Sequence, residues 1–475
     1  MSHIHPSLLL SGTTGALLLS AVCQAEEPKP LRPNIIYIMA DDMGYANLGC
    51  YGAKRIKTPH IDRLAAEGIR FTHHYSGTSV SAPSRCSLMT GLTTGHCQIR
   101  GNLQWEPYGQ LPLAEGTVTV AAKLKEAGYR TALIGKWGLG VEGTSGDPLK
   151  QGFDYYYGYL CQVLAHNQSP EYLMENGIKI PTGNVVQWDN PNSWAKGLGS
   201  FPLIKKHFSQ ELFTAKALQF IEQNRQTPFF LYFPVVVPHD NGEAPKGKRY
   251  SDIPSFAPYE NEPWSDSEKG FAAMITYLDQ EVGKIINRLD ELGLSRNTLI
   301  IFTSDNGGDS PDGFHNESNL PFRGHKRDLY EGGIRVPLIA RWSGTIAPGG
   351  VSSHPSAFWD FMPTACELAG AATPAIGDGI SYLPELLGKQ QPQHDSFYFE
   401  FHEMGGKQAI VRHGWKCIRL HTKEGDKMVT ELYHLDNDPT ESINLADKYP
   451  DKVARLVALM EKSRSENSHF NLFGE

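Results

Sequence analysis

The sequence predicts an α/β protein: a large, mainly parallel or mixed sheet flanked by helices, followed by a smaller C-terminal α+β subdomain. Two observations lead to this fold. Short apolar runs alternate with amphipathic helical segments between residues 34 and 303, and such alternation is typical of right-handed βαβ units. Beyond residue 385, short strand-like runs follow one another closely, which favours an antiparallel sheet.

The predicted elements repeat one plan in four units. The first unit has the buried-type run NIIYIMA at 34–40, and Thr58 with Pro59 then begins a helix. In the second unit an amphipathic helix stops at Gly128, before a strand at 130–134. The last two units each have a helix and then an apolar strand, at 209–224 with 229–237 and at 267–293 with 297–303.

The remaining segments complete the predicted domain organisation. The tail is predicted to form the strands SFYFEF, QAIVRHG, WKCIRLH and TELYHLD and a last helix at 451–463. Residues 140–205 are rich in Gly, Pro, Asn and aromatic side chains without a clear period, and we expect loops that shape a pocket. The chain is accordingly divided into a signal peptide at 1–25, a main domain at 26–384 and a C-terminal subdomain at 385–475.

The N-terminus has the pattern of an export signal. LLLSGTTGALLLSAV at 8–22 is apolar and small, and cleavage after Ala25 is expected, which predicts a periplasmic or extracellular protein. Cys23 raises the alternative of a lipoprotein anchor, but the bulky Val22 before it makes that less favoured. No other stretch is long and apolar enough to span a bilayer.

Composition excludes some partners. A formal net charge of −8 argues against a general nucleic-acid-binding protein. None of the seven cysteines stands in a CxxC pair, so the pattern does not indicate a zinc site.

Polar side chains follow four predicted strands. They are Asp41 and Asp42, Lys136, His239, and Asp305 with Asn306. Taken singly, each is more often a cap, a turn or a surface residue, but ligands of open parallel sheets bind beyond the carboxyl ends of the strands. Three aspartates and one asparagine offer only oxygen ligands, which favours calcium, or else magnesium, over zinc. The cations Arg85, Lys136 and Lys326 indicate a substrate with an oxyanion group.

Several motifs together resemble the formylglycine-dependent sulfatase family of the alkaline phosphatase superfamily. The signature of that family stands here as Ser81-Ala82-Pro83-Ser84-Arg85 with Thr90-Gly91. The segments MADDMGYANLGCYG, GKWGLG, TSDNGG and KRDLYEGGIRVP accompany it in order, so the resemblance covers nearly the whole mature chain. It implies an enzyme, a sulfuric ester hydrolase acting on a sulfated carbohydrate or an aryl sulfate.

The resemblance also implies a modification and a set of roles. Ser81 would be converted to formylglycine (3-oxoalanine) by a serine-type sulfatase-maturating enzyme, and its hydrate would be the nucleophile. The calcium ligands would be Asp41, Asp42, Asp305, Asn306 and the modified Ser81. Arg85 would hold the hydrate and a sulfate oxygen, and Lys136 would contact both groups. His239 would hold the sulfate or protonate the leaving oxygen, and Lys326 would bind the sulfate or the bridging oxygen.

One position departs from the family pattern. Many members have Lys-Trp-His where this chain has Lys136-Trp137-Gly138, so the histidine expected to deprotonate the hydrate is missing. His96, His166, His315 and Lys136 are the alternatives for its role, and the sequence does not choose among them. His166 could equally contact the sugar or ring of the substrate.

Two other functions compete with a sulfatase. A phosphate or phosphonate ester hydrolase of the same fold would use an unmodified Ser or Thr with two metals, but no second cluster of Asp and His is evident. A non-catalytic protein that binds sulfated glycans would keep Ser81 unmodified.

Overall fold

The computed structural model describes residues 1–3, 32–106, 109–309 and 317–474. Up to residue 360 it has thirteen strands among these residues: β1 (Asn34–Ala40), β2 (Ile69–Tyr75), β3 (Arg130–Lys136), β4 (Tyr155–Tyr159), β5 (Tyr172–Glu175), β6 (Ile178–Pro181), β7 (Val185–Trp188), β8 (Ser200–Ile204), β9 (Phe229–Pro234), β10 (Thr298–Ser304), β11 (Arg335–Arg341), β12 (Gly350–Ser352) and β13 (Ser356–Ala357).

Eleven of these strands form one mixed sheet, and its centre positions the site. The order is β12-β2-β11-β10-β1-β9-β3-β4-β5-β6, with β13 beside β2, while β7 and β8 form a separate pair. The five central strands β10, β1, β9, β3 and β4 are parallel to one another. Antiparallel β11 and β5 flank them. The predicted fold class is therefore confirmed.

Helices cover both faces of this sheet. They are α1 (Pro59–Ala66), α2 (Ser81–Thr90), α3 (Val120–Glu126), α4 (Ser209–Gln223), α5 (Asp266–Glu291), α6 (Glu331–Ile334), α7 (Phe361–Ala369) and α8 (Leu383–Leu386). Alternate residues of β1 enter the two cores: Ile36 and Ile38 pack with α1, α4 and α5, while Ile35 and Tyr37 pack with α2, α3 and α7. Burial on both faces explains why β1 is apolar throughout.

The C-terminal segment forms its own sheet but shares a core with the rest. Strands β14 (Phe397–Phe401), β15 (Lys407–Arg412), β16 (Trp415–Leu420) and β17 (Val429–His434) are antiparallel in sequence order, and α9 (Pro450–Lys462) follows them. Phe397 and Phe399 of β14 pack in one apolar cluster with Tyr75 and Trp359. The domain boundary at residue 385 stays a prediction.

The expectation of loops at 140–205 is only partly right: β4 to β8 lie there, while segments between them line a cleft through Gln162, His166 and Trp194. These strands have only four or five residues each, too few to give a readable period. The predicted signal peptide, with Cys23, lies outside the described residues apart from 1–3. None of the described helices has the length and apolar character that crossing a membrane requires.

Candidate active site

Two neighbouring parallel strands place three carboxylates and an amide together. Asp41 and Asp42 directly follow β1, Asp305 and Asn306 directly follow β10, and Ala40 pairs in register with Ser304. The backbone N–H of Asp42 donates to Oδ1 of Asp305 at 3.1 Å, and Nδ2 of Asn306 donates to Oδ1 of Asp42 at 2.7 Å. The gathering that the sequence indicated for this sheet edge is therefore present.

Ser81 reaches the same point from the N-terminus of α2. Its side chain is buried and its hydroxyl donates to Oδ2 of Asp305. Arg85 lies one helical turn later, and its Nε donates to Oγ of Ser81 at 2.9 Å. Ser84 fixes this helix to β10, because its hydroxyl donates to the carbonyl of Asp305 at 2.6 Å. The first turn of a helix also has free N–H groups, which favour an anion.

Three buried cations neutralise the carboxylates. Nη2 of Arg85 lies 3.1 Å from Oδ2 of Asp41 and 3.0 Å from Oδ2 of Asp305. Nζ of Lys136, at the end of β3, lies 2.6 Å from the same Asp41 oxygen. Nζ of Lys326 lies 2.5 Å from Oδ2 of Asp42. An ensemble of opposite charges at this depth is stable only when its members pair closely.

The pKa shifts show that the pairing is uneven. Burial raises the pKa of Asp305, and the neighbouring Asp41 raises it further, despite Arg85. Burial also raises the pKa of Asp42, but the charges of Lys326 and His239 outweigh it and hold that pKa below its ordinary value.

His239 faces the same group of charges. Its Nδ1 donates to the carbonyl of Asp240 at 2.6 Å, which leaves Nε2 as the acceptor for Nζ of Lys326 at 3.2 Å. Nε2 also lies 3.4 Å from Oδ2 of Asp42. Burial, and then the charge of Lys326, lower the pKa of His239 well below its ordinary value, so the imidazole is neutral at neutral pH.

His166 is the only one of the three histidines named as alternatives that the described residues place at this site. Its ring stacks on His239, with centroids 4.9 Å apart and an interplanar angle of 11°, and its Nδ1 lies 3.1 Å from a carboxylate oxygen of Glu243. The prediction that His96 could belong to this site is wrong. His96 lies in a separate cleft, where its Nδ1 pairs with Asp378 at 2.9 Å. His315 is not among the described residues.

The space that the missing family histidine would occupy is filled by a side chain from the segment that follows β4. Gly138 has a φ of 75°, a left-handed conformation that favours glycine. A β-carbon at this position would lie 2.6 Å from Nε2 of Gln162. The buried side chain of Gln162 therefore occupies the space, and no sequence pattern pointed to it.

Some buried oxygens of this donor set lack a hydrogen-bond partner among the described residues. Oδ1 of Asp41 and Oδ1 of Asn306 are two such atoms within the described part of the chain. Buried oxygens without a hydrogen bond are costly unless something else compensates them. Asp41, Asp42 and His239 also carry ligand-type atoms that all lie within 4.8 Å of one another. The residues present therefore fit a cation, and the unpaired oxygens favour carboxylate and amide ligands over His239, whose Nε2 accepts from Lys326.

A cleft of about 540 Å³ opens onto these side chains. Its lining includes Ser81, Lys136, His239 and Lys326. Four carboxamides also line it, and they are Asn102, Gln104, Gln110 and Gln162. The cleft of His96 is larger, about 760 Å³, but we assign the site to the smaller cleft because the converging charges lie there.

Comparisons with known proteins agree with this geometry. The Sulfatase family model matches residues 33–371, and the model for the C-terminal part of N-sulphoglucosamine sulphohydrolase matches residues 324–467. An N-acetylgalactosamine-6-O-sulfatase of Bacteroides thetaiotaomicron is 31% identical, with 91% of this chain and 93% of that protein covered. An N-acetylgalactosamine-6-sulfatase of Mus musculus is 30% identical, with 94% and 89% covered.

A solved structure is also similar over nearly the whole chain. The crystal structure of Ps i-CgsB in complex with k-i-k-neocarrahexaose superimposes with a TM-score of 0.74 at 27% identity, covering 92% of this chain and 94% of that chain.

Proposed function

Since the chain belongs to the sulfatase family and is a sulfuric ester hydrolase, we propose that it removes sulfate from a sulfated carbohydrate with a formylglycine at residue 81. The observation that supports this most directly is the convergence of Ser81, Arg85 and Asp305. Ser81 donates to one oxygen of Asp305, and Arg85 contacts both partners. This is where a hydrate would be held against acidic groups.

The modification supplies the reactive oxygen. A formylglycine hydrate can attack sulfur through one hydroxyl and release sulfate through the other, whereas an unmodified serine would be left as a stable ester. Arg85 would fix the orientation of residue 81, because its Nε and Nη2 already bind Ser81 and Asp305. A serine-type maturating enzyme is the expected partner for this conversion.

The remaining cations would bind the sulfate. Lys136 and Lys326 line the cleft beside Ser81, and positive groups fixed in a buried site stabilise the charge that develops as the ester bond breaks. The neutral imidazole of His239 and the ammonium of Lys326 lie in contact. We assign this pair to the leaving oxygen, which must take up a proton.

Asp41, Asp42, Asp305 and Asn306, with the modified residue 81, would hold one calcium or magnesium ion. Oxygen donors of this kind suit hard cations. When bound, the ion would supply positive charge beside these buried carboxylates.

A carbohydrate is the favoured substrate class because of the cleft. Side-chain amides that can donate and accept hydrogen bonds line it beside His166 and Trp194, a combination suited to hydroxyl-bearing rings. The two relatives named for N-acetylgalactosamine 6-sulfate make that sugar the first to test. An exported protein, periplasmic or extracellular, would meet such saccharides directly.

Mass spectrometry of the peptide that contains Ser81 tests the modification. After expression with a serine-type maturating enzyme, we expect a loss of about two mass units at Ser81, together with release of sulfate from N-acetylgalactosamine 6-sulfate or another sulfated sugar of a panel. An unmodified Ser81 in protein that still releases sulfate would contradict the proposed nucleophile. An unmodified, inactive protein that binds these sugars would instead favour the glycan-binding alternative.

Removal of the divalent ion should lower thermal stability as well as turnover. A bound ion stabilises only the folded state, so chelation by EDTA is expected to lower the melting temperature by several degrees, and added calcium or magnesium should restore it. Metal content is measured by elemental mass spectrometry on the protein as purified.

A pair of variants locates the ion. Asp42→Ala should abolish stoichiometric metal, whereas Asp378→Asn, which alters the carboxylate that pairs with His96 in the other cleft, should retain it. Equal metal content in both variants would place the ion elsewhere.

A further inference from the structure

A run of three aromatic rings leads from the reactive groups to the mouth of the cleft. His239 contacts Lys326, His166 stacks on His239 at 4.9 Å, and the ring of Trp194 lies 5.8 Å from that of His166, tilted by 37°. Trp194 is 65% exposed although it lines the cleft. A large aromatic side chain at the edge of a binding cleft offers a flat apolar face to a ligand.

The exposed indole of Trp194 is carried by a loop that is closed by a backbone hydrogen bond. Trp194 lies between β7 and β8, and the loop is closed where the backbone N–H of Asp189 donates to the carbonyl of Gly199 at 2.9 Å. The next residue, Ala195, is fully buried in a small apolar cluster with Val163, which itself lines the cleft. The backbone that presents the indole is therefore held before a ligand binds, which lowers the cost in chain entropy.

The same loop is coupled to His166. A β-carbon at Gly199 would lie 2.4 Å from Cγ of Glu243, so the loop packs directly on the residue that binds Nδ1 of His166. Glu243 thus fixes the histidine ring and supports the loop that presents Trp194.

We propose that Trp194 stacks on the sugar ring next to the sulfated one, so that the preferred substrate is an oligosaccharide and not a free sulfated sugar. The inference rests on the proposed function. A sulfate held by Ser81, His239 and Lys326 brings the ring that carries it beside His166. Trp194 lies two ring contacts out from His239, with His166 between them, so the indole is placed to meet the ring beyond the one beside His166. The apolar face of a second ring can cover the indole, and this burial stabilises the complex.

The test compares free and linked forms of the same sulfated ring. N-acetylgalactosamine 6-sulfate, galactose 6-sulfate and galactose 4-sulfate are each assayed as the monosaccharide and as the terminal ring of a trisaccharide. For Trp194→Ala we expect kcat/KM on the trisaccharide to fall about 10- to 100-fold, mostly through KM, and the fall on the monosaccharide to be at least fivefold smaller. Trp194→Phe should recover most of the loss because it keeps an aromatic face.

Trp188→Ala is the matched control. Trp188 is a half-exposed tryptophan on β7 of the same small sheet, and it lies outside the lining of the active-site cleft. Its replacement should leave kcat/KM unchanged on both the monosaccharides and the trisaccharides. Equal losses on monosaccharide and trisaccharide for Trp194→Ala, or none on either, would overturn the second-ring contact.

Binding to the Ser81→Ala protein separates this inference from the proposed function. Calorimetric titration with the three trisaccharides should show affinity that Trp194→Ala weakens about tenfold or more. If no saccharide binds while an aryl sulfate is hydrolysed by the mature enzyme, the carbohydrate proposal and the Trp194 contact both fail and the sulfatase chemistry stands. If trisaccharides bind as tightly without the indole, only the Trp194 contact fails.

Discussion

Replacement of Ser81 by alanine is expected to lower kcat by about 10⁴-fold or more, because removal of a nucleophile leaves only binding and charge stabilisation to assist the reaction. Substrate affinity should change little, since Lys136, His239 and Lys326 still line the cleft. The measurement is sulfate release by protein matured in the same host as the parent enzyme, with calorimetric titration of a sulfated sugar alongside.

Ser87→Ala provides the control for this variant. Ser87 lies on the same helix as Ser81, is equally buried, and its hydroxyl is without a hydrogen-bond partner among the described residues. We therefore expect nearly full activity from Ser87→Ala. Turnover by Ser81→Ala within tenfold of the parent would show that residue 81 is not the nucleophile.

The gathering of the candidate site residues was predictable from sequence because a parallel sheet brings them together by its topology. Asp41-Asp42 and Asp305-Asn306 directly follow β1 and β10, Lys136 is the last residue of β3, and the strands β10, β1, β9 and β3 are adjacent. His239 was predicted for the same reason although β9 ends at Pro234. The chain continues beside β1, where the N–H of Asp41 donates to the carbonyl of Val237 at 3.3 Å.

The surroundings of the site were not predictable, because side chains from unrelated segments form them. Gln162 fills the space above Gly138, and Glu243 orients His166, yet neither residue stands in a motif. Only its residue type makes His96 a candidate for the role of the missing histidine. Its partner Asp378 lies 282 positions away in the sequence. The local sequence pattern predicts where the strands end, whereas contacts between residues far apart in the sequence depend on the completed packing.

A second part of the structure that no sequence pattern indicated is a buried group of charges between the main sheet and the C-terminal sheet. Nζ of Lys416, on β16, lies 2.9 Å from Glu331 of α6 and 2.9 Å from Glu441. All three side chains are fully buried. Arg335 also contacts Glu331 at 3.1 Å. Burial raises the pKa of Glu441 to about 7, although Lys416 opposes the shift, whereas Lys416 and Arg335 outweigh burial and lower the pKa of Glu331.

Lys416→Met is expected to destabilise the protein by about 3–5 kcal/mol, since removal of one member of a buried ion pair leaves uncompensated charge. Without the ammonium, the folded-state pKa of Glu441 would rise further above its unfolded value, while Arg335 still contacts Glu331. The folded state then binds more protons than the unfolded state, so its stability falls as pH rises through that interval. We expect the loss to be larger at pH ~8 than at pH ~5, as measured by denaturant unfolding at both values.

The exposed pair of Lys427 and Glu424, 3.2 Å apart, offers the comparison, because surface ion pairs contribute little. Lys427→Met should shift the unfolding midpoint far less than Lys416→Met and equally at both pH values. A Lys416→Met protein that unfolds at the parental midpoint at pH ~8 would mean that water reaches Glu331 and Glu441 after the substitution. The two sheets would then be joined by the apolar cluster of Tyr75, Trp359 and Phe399 without help from these charges.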